Sequence, residues 1–308
     1  MLLQGGNMKN FIISDLHGDG NVYDSIISYL ENLSKDSDEE ITLYINGDLI
    51  DRGYDSGRIL IDVIDRIENK KSFNIEYLGG NHELMLWQDY LRKENGKWPS
   101  NTLWHDNGGG KTLNYLEDLL TIQEETKICE FIGDLKLYHK FKETLDGKNI
   151  VLVHAKCPSN VLDDCELKIR DNNKLVNKLV WTRDDDLDTD YPRIGNPDYF
   201  TIIGHTPLTY PKGYAYYSDE NYMNIDGGCS GYVLGYDGYD HVPLVEIDNE
   251  NNRLIILTFN NSNEIISGHY FYNGRSTTIR NLDKYRKYID NNVKVKKKII
   301  DGNKVDFI

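Results

Sequence analysis

The sequence predicts an α/β fold in which several strands deliver polar side chains to one edge of a sheet. Five short apolar runs, rich in β-branched and aromatic residues, predict buried strands. Helical spacing of apolar residues follows the first two of these strands, at 22–33 and 59–67. Strands that alternate with helices are typical of α/β folds, and such folds bind ligands beyond the carboxyl ends of their strands.

Each predicted strand leads into a residue that can ligate a metal, usually beside a glycine. The strands are 11–14, 43–46, 75–78, 150–153 and 200–203. The candidate ligands that follow them are Asp15, His17, Asp48, Asn81, His154 and His205. One such motif is weak evidence, but five repetitions of strand, glycine and ligand favour a shared metal site. Oxygen and imidazole ligands without a thiolate suit Mn, Fe or Zn, and they do not suit a structural zinc site.

Length and composition fit a folded globular chain. The 308 residues can bury a substantial core, and 39% of them are hydrophobic while 28% are charged. No apolar run approaches the roughly 18 residues that span a bilayer, and residues 1–10 do not resemble a secretory signal. The four cysteines form no C-x-x-C pair. We therefore expect a cytoplasmic protein without a disulfide framework and without a membrane span.

The net charge of −15 argues against a groove that binds nucleic acid along its phosphates. Several of the carboxylates are candidate metal ligands, and two divalent ions would cancel about four negative charges locally, but the rest of the chain would stay acidic. We therefore do not expect nucleic acid as a partner.

Three specific motifs occur in order along the chain. They are D-x-H-G at 15–18, G-D-x-x-D-R-G at 47–53 and G-N-H-E at 80–83, with shorter matches at 153–155, 181–183, 204–206 and 224–229. Through these motifs, residues 9–260 resemble the calcineurin-like metallophosphoesterases, and within them the phosphoprotein phosphatase branch. The resemblance implies a four-layer α/β/β/α sandwich with two mixed β-sheets. Ser14 stands where this branch often has glycine, a departure that affects no ligand.

The resemblance also implies a binuclear metal centre. One divalent ion would be held by Asp15, His17 and Asp48. The second ion would be held by Asp48, Asn81, His154 and His205, so that the Asp48 carboxylate bridges. Mn is the first expectation for both ions, with Fe or Zn as alternatives, and a hydroxide between the ions would attack the phosphate ester.

Four further residues would act on the substrate according to the same resemblance. His82 would protonate the leaving oxygen, and Asp51 would hydrogen-bond His82 and favour its charged form. Arg52 and Arg183 would hold the phosphate oxygens with their planar sets of donors. For Arg183 the alternative is a solvated partner of the acidic residues 184–186.

The expected activity is that of a phosphomonoesterase acting on phosphoserine or phosphothreonine in proteins. The first alternative is a dinucleoside polyphosphate hydrolase that cleaves diadenosine tetraphosphate, which would need further cations such as Lys111, Arg170 or Lys212. The second is a non-catalytic phosphate-binding protein on the same fold, although no metal ligand is missing from the motifs. The partner is thus a phosphorylated protein or a small phosphoester, and the sequence does not define the oligomeric state.

Outside the motifs the sequence is less informative. Residues 1–8 are predicted to be a leader or a disordered end, 9–262 the metallophosphoesterase domain and 263–308 a C-terminal extension. Segments 184–199 and 210–222 lie between motifs, where we expect substrate-facing loops. Segment 107–112 ends like a P-loop but lacks the first glycine and a preceding strand, which favours a glycine-rich turn before a helix at 113–120. The basic segment 284–298 would contact an anionic partner or form a solvated face, and the second reading is favoured.

Overall fold

The computed structural model describes residues 8–183, 193–208, 214–229, 231, 241–289, 298–301 and 304–307. The strands are β1 (Met8–Ile13), β2 (Glu40–Asn46), β3 (Asn74–Leu78), β4 (Tyr138–Leu145), β5 (Lys148–Val153), β6 (Phe200–Ile203), β7 (Ala215–Tyr217), β8 (Tyr222–Asn224), β9 (His241–Asp248), β10 (Arg253–Asn260), β11 (Glu264–Tyr272), β12 (Arg275–Thr278), β13 (Lys298–Asp301) and β14 (Lys304–Phe307). The α-helices are α1 (Gly20–Lys35), α2 (Ser56–Asn69), α3 (Asn81–Leu91), α4 (Leu103–Asp106), α5 (Gly110–Leu119), α6 (Ile122–Gly133), α7 (Lys174–Trp181) and α8 (Asp283–Arg286).

Two mixed sheets form the centre of the fold. The larger has seven strands in the order β12-β11-β10-β9-β1-β2-β3, in which β1, β2 and β3 are parallel and the other neighbours are antiparallel. The smaller has five strands in the order β4-β5-β6-β8-β7, in which β5, β6 and β8 are parallel. A separate hairpin pairs β13 with β14. The five strands predicted from the sequence are confirmed.

The strand residues alternate between two hydrophobic cores, as the period of two in a strand requires. On β1, Phe11 and Ile13 pack into the core that contains the helices, whereas Ile12 packs between the sheets. On β5, Val151 packs into the helical core and Leu152 packs between the sheets. The molecule is therefore a four-layer sandwich of helices, sheet, sheet and helices, and the predicted fold class is confirmed.

The first helix begins directly after the first motif, because Asp19 caps it. The Asp19 carboxylate accepts hydrogen bonds from the backbone N–H groups of Asn21 at 3.0 Å and Val22 at 3.1 Å. The helices predicted at 22–33 and 59–67 are confirmed as parts of α1 and α2. The helix predicted at 113–120 begins earlier, at Gly110. None of the helices in the described part of the chain combines the length and apolar character that a membrane crossing requires.

The strands beyond residue 262 add to the larger sheet. β11 pairs with β10 in antiparallel register and β12 pairs with β11, so β11 hydrogen-bonds directly to the domain that precedes it. A division at 262 stays a prediction, and it would separate two paired strands. The expected leader up to residue 7 lies outside the described residues, as do 184–192 and 210–213 of the two expected loops and 290–297 of the basic segment.

Candidate metal centre and active site

The carboxyl ends of five strands meet where the two sheets pack. The Nδ1 atom of His154, which follows β5, donates to the carbonyl oxygen of Asn46 at the end of β2 over 2.8 Å. The backbone N–H of His205, which follows β6, donates to the Asp15 carboxylate beyond β1 at 3.0 Å. Each of these contacts joins one sheet to the other. The predicted ligands therefore reach one place from both sheets.

The backbone at this place is constrained. Six of the ten predicted site residues have a positive φ angle: Asp15, His17, Asp48, Asp51, Arg52 and His205. Non-glycine residues rarely adopt this conformation, and it is typical of functional sites held by rigid surroundings. Gly47 has a φ of +75°, and a Cβ atom there would lie 2.6 Å from the Cα of Gly80. The two loops can approach each other because both residues are glycines.

Asn81, His154 and His205 form one group of donor atoms with Asp48. The Oδ1 atom of Asn81 lies 3.0 Å from His154 Nε2 and 2.9 Å from His205 Nδ1, and His154 Nε2 lies 3.4 Å from Asp48 Oδ1. All four residues are buried. His205 Nε2 donates to the carbonyl oxygen of Trp181 at 3.1 Å, so in the neutral ring Nδ1 carries a lone pair.

A lone pair of His205 Nδ1 therefore faces the Asn81 carbonyl oxygen with no proton available from either atom. Burial lowers the pKa of His205 to about 3, so this ring is neutral. Two facing acceptors at 2.9 Å repel each other, and a cation bound by both atoms would relieve that repulsion. The donors present, carboxylate, amide oxygen and imidazole without thiolate, fit a divalent ion such as Mn, Fe or Zn.

His17, Asp48 and His82 form a second group. His17 Nε2 lies 3.6 Å from Asp48 Oδ2, and His82 Nε2 lies 3.9 Å from the same oxygen. The Nδ1 atom of His17 donates to the carbonyl oxygen of Ile50 at 3.1 Å, which turns Nε2 toward Asp48. Asp48 belongs to both groups of potential ligand atoms. This position suits the bridging role that the resemblance implies, and the role itself stays a prediction.

Asp15 lies beside these groups and is engaged differently. Its Oδ2 accepts hydrogen bonds from the Ser14 hydroxyl at 2.5 Å and from the His205 backbone N–H at 3.0 Å. Among the described residues, the two ligand groups contain His82 where the resemblance implies Asp15. Ser14, which was expected only not to be a ligand, is thus one of two donors that hold the Asp15 carboxylate.

The charges of the two groups depend on one another. Burial alone would raise the pKa of Asp48, but the imidazoles of His154 and His82 hold it well below its ordinary value. Burial alone would lower the pKa of His154, but the Asp48 charge raises it to about 10. Burial and the Arg52 charge hold the pKa of His17 well below its ordinary value. His154 must therefore release a proton before its Nε2 atom can bind a metal.

His82 and Asp51 form a fully buried pair beside the ligands. His82 Nδ1 donates to Asp51 Oδ2 at 2.7 Å. The guanidinium of Arg52 donates to Nε2 of His17 at 2.7 Å and to Nε2 of His82 at 3.0 Å. Three of the predicted substrate residues thus contact one another at the edge of the ligand groups.

Three residues that support this site were not identified from the sequence. Trp104 Nε1 donates to Asp51 Oδ2 at 2.7 Å, and the Thr112 hydroxyl donates to Asp51 Oδ1 at 2.5 Å. Thr112 lies in segment 107–112, which the sequence identified only as a glycine-rich turn before a helix. The third residue is Glu83, the last residue of the G-N-H-E motif.

The Glu83 carboxylate accepts four hydrogen bonds inside the protein. Oε2 accepts from the backbone N–H groups of Asp48 at 2.9 Å and Gly80 at 2.8 Å. Oε1 accepts from the backbone N–H of Leu49 at 3.1 Å and from the Tyr77 hydroxyl at 2.7 Å. Burial and the Asp48 charge raise the pKa of Glu83, and these donors oppose that increase. Glu83 therefore joins the loop that follows β2, at residues 47–53, to the start of α3.

Arg183 lies on the surface next to the site. Its Nη2 atom donates to the carbonyl oxygen of His205 at 3.5 Å, and it lines a small cavity of about 30 Å³ with Thr206 and Asn224. The acidic residues 184–186 lie outside the described residues, so the alternative partner for Arg183 stays a prediction.

Fold and donor set together define the class of the protein, a four-layer α/β protein with a candidate divalent-metal centre. Residues 8–300 match the sequence profile of the calcineurin-like phosphoesterases. The chain belongs to this family of phosphoesterases, and its two groups of potential ligand atoms could each hold a metal ion.

Individual proteins are similar to this chain over different lengths. A protein serine/threonine phosphatase from Saccharomyces cerevisiae, with similarity to human phosphatase PP5, has a TM-score of 0.55 at 15% identity, covering 83% of this chain and 80% of that one. The cold-active protein-tyrosine phosphatase of a psychrophilic Shewanella species has a TM-score of 0.44 at 17% identity, covering 91% and 83%. A zinc-dependent endopolyphosphatase from Saccharomyces cerevisiae is 30% identical over 92 residues, which are 30% of this chain and 26% of that protein.

Proposed function

We propose that this protein is a binuclear metal-dependent phosphomonoesterase that acts on phosphoserine or phosphothreonine in proteins. The observation that carries the proposal is the facing pair of acceptors, Asn81 Oδ1 and His205 Nδ1, 2.9 Å apart in a buried cluster that shares Asp48 with a second cluster. Asp48, Asn81, His154 and His205 would hold one ion, and Asp15, His17 and Asp48 the other. When bound, the ions would polarise the phosphoryl oxygens and activate a water.

The protein's own side chains would bind the phosphate and supply a proton. Arg52 directs both terminal nitrogens of its guanidinium into the site, and a phosphate would offer them oxygens in place of the His17 and His82 nitrogens. His82 Nε2, released from Arg52, would carry the proton that the leaving oxygen takes. Asp51 would orient His82 through Nδ1, and Arg183 would bind the phosphate from the surface.

The proposal is tested by a competition between substrates. The metal-free protein is loaded with Mn, its metal content is measured, and a phosphothreonine peptide, diadenosine tetraphosphate and inorganic polyphosphate are supplied together. We expect loss of the peptide's phosphate with release of free phosphate, and no such loss in Asp48→Asn. Preferential loss of either other substrate would overturn the choice of substrate. If none of the three substrates is hydrolysed although metal is bound, the result would favour a non-catalytic binding protein.

A dinucleoside polyphosphate hydrolase is the second candidate, and Lys111 favours it. The ammonium group of Lys111 lies 3.6 Å from the centre of the Tyr54 ring, and Lys111 is adjacent in sequence to Thr112, which contacts Asp51. Of the other expected cations, Arg170 pairs with Glu130 and Asp134, and Lys212 lies outside the described residues. If this candidate is correct, Lys111→Ala should slow release of ADP from the dinucleotide more than dephosphorylation of the peptide.

A further inference from the structure

The segment from α4 to the first turn of α5 contacts the Asp51–His82 pair at several points. Trp104 and Thr112 hydrogen-bond to the Asp51 carboxylate, and the backbone N–H of Arg52 donates to the carbonyl oxygen of Gly108 at 3.0 Å. Gly108 has a φ of +95° and packs against the Arg52 side chain. This segment, 104–112, therefore lies against two adjacent residues of the proposed machinery.

The hydrogen bonds leave the Asp51 carboxylate no freedom to rotate. Oδ2 accepts from His82 Nδ1 and from Trp104 Nε1, each at 2.7 Å, while Oδ1 accepts from the Thr112 hydroxyl at 2.5 Å. The Thr112 oxygen in turn accepts the backbone N–H of Asp51 at 3.1 Å, which directs its own proton toward Oδ1. These four side chains are all at most 1% exposed, so water does not compete for the bonds.

The indole of Trp104 is itself fixed. Gly109 lies against its ring, and a Cβ atom on that residue would lie 2.6 Å from three of the ring atoms. Gly109 also donates its backbone N–H to the carbonyl oxygen of Trp104 at 2.9 Å. Of the glycine pair 108–109, Gly109 thus fixes the Trp104 ring, and Gly108 contacts Arg52.

We propose that Trp104 and Thr112 are positioning residues for the general acid. They hold Asp51 so that its carboxylate orients the His82 imidazole and keeps Nε2 directed at the leaving oxygen. This inference rests on the proposed function, because it assigns a role to residues that act through His82. An imidazole that is free to tilt would transfer its proton less effectively, and substrates that need little protonation would be least affected.

The test compares leaving groups in variants that remove hydrogen bonds to Asp51: two from Thr112 and one from Trp104. Thr112→Val keeps the shape and loses the hydroxyl, Thr112→Ser restores the hydroxyl, and Trp104→Phe loses the Nε1 donor together with part of the ring volume. Trp98→Phe is the matched control, since the Trp98 ring lies 5.4 Å from that of Trp104 but its Nε1 donates to Glu125. The Mn-loaded proteins are assayed on p-nitrophenyl phosphate, phenyl phosphate and an alkyl phosphate. Metal content and thermal unfolding of the metal-free proteins are measured alongside.

For Thr112→Val and Trp104→Phe we expect kcat to fall about tenfold on the alkyl phosphate and by less than about threefold on p-nitrophenyl phosphate. KM and metal content should not change, and Thr112→Ser and Trp98→Phe should behave as the wild type. Equal losses on all three substrates, or losses that follow metal content or unfolding temperature, would overturn the positioning role.

His82→Ala is measured in the same series, so that failure of the inference can be told from failure of the general-acid assignment. A strong leaving-group dependence in His82→Ala without one in Thr112→Val and Trp104→Phe would overturn the inference alone. The absence of leaving-group dependence in His82→Ala would overturn both the general-acid role and the inference that depends on it.

Discussion

The buried carboxylate of Glu83 joins the β2 loop to α3, and its replacement by glutamine tests how firmly that loop is held. A glutamine amide can accept from Asp48 N–H and Gly80 N–H through its oxygen and can donate its NH₂ to the Tyr77 hydroxyl. The backbone N–H of Leu49 then loses the acceptor that it has at 3.1 Å. A buried donor without an acceptor costs about 1–3 kcal/mol, and bonds to a neutral acceptor are weaker than bonds to a charged one. We therefore expect Glu83→Gln to lower the free energy of unfolding by about 2–4 kcal/mol.

The assay is urea unfolding of the metal-free protein at pH 7.5, so that the loss of bound ions does not enter the result. Tyr77→Phe is the control, because it removes one donor and leaves the other three bonds to Glu83 intact; it should cost about 1 kcal/mol. In the double variant the glutamine NH₂ has no acceptor, so the two changes should couple by at least about 0.5 kcal/mol. A Glu83→Gln protein within about 0.5 kcal/mol of the wild type would refute the reasoning.

Three further predictions concern charges in the described part of the chain. Asp48→Asn should weaken the binding of both metal ions at once. Metal analysis that finds two ions at full occupancy in this variant would refute the bridging assignment. Burial raises the pKa of the half-buried Glu246 to about 7, so ionisation weakens the folded state as the pH rises from about 4.5 through 7. Glu246→Gln should therefore stabilise the protein against urea by about 1–2 kcal/mol at pH 8 and have no effect at pH 4. Burial lowers the pKa of His139 to about 4, so the wild type loses stability as the pH falls from 6.5 through 4. The free energy of unfolding of His139→Phe should fall less over that pH interval than that of the wild type. If the free energies of the two proteins changed in parallel with pH, this account would be contradicted.

The strand ends could be predicted from the sequence, since each apolar run stops at a ligand and parallel strands bring such ends together. That the last two of these strands belong to a second sheet was implied only by the family resemblance. The strand pattern alone could not predict it, because the approach of the two sheets depends on packing between residues more than 100 positions apart, such as Asn46 and His154. The role of segment 104–112 could not be predicted from the sequence, for a related reason. The residues that hold Asp51 follow neither a strand nor a ligand motif, and their partner lies 53 and 61 residues earlier in the chain.

The strands β11 and β12 were missed because their sequence lacks the usual signal of a core strand. All four residues of β12 are exposed, and β11 has a mixture of buried and exposed positions without strict alternation. β11 forms because β10 offers an edge to pair with, and β12 pairs with β11 in turn, so both strands depend on the folded sheet and not on their own sequence.

The aspartates and histidines of the site are both candidate metal ligands and residues that tolerate a positive φ angle. Five of the six site residues with positive φ are aspartate or histidine, which adopt the left-handed region more readily than most non-glycine residues. The sixth, Arg52, is fixed by the Gly108 carbonyl oxygen that accepts its backbone N–H. At about 1 kcal/mol or more for each position, the total strain is on the order of 6 kcal/mol, comparable with the net stability of an ordinary domain. The intrinsic backbone preferences of these residues therefore cannot by themselves keep the loops in this conformation. They are held by the contacts between the two sheets and by Glu83, so the geometry of the ligands is a property of the whole sandwich.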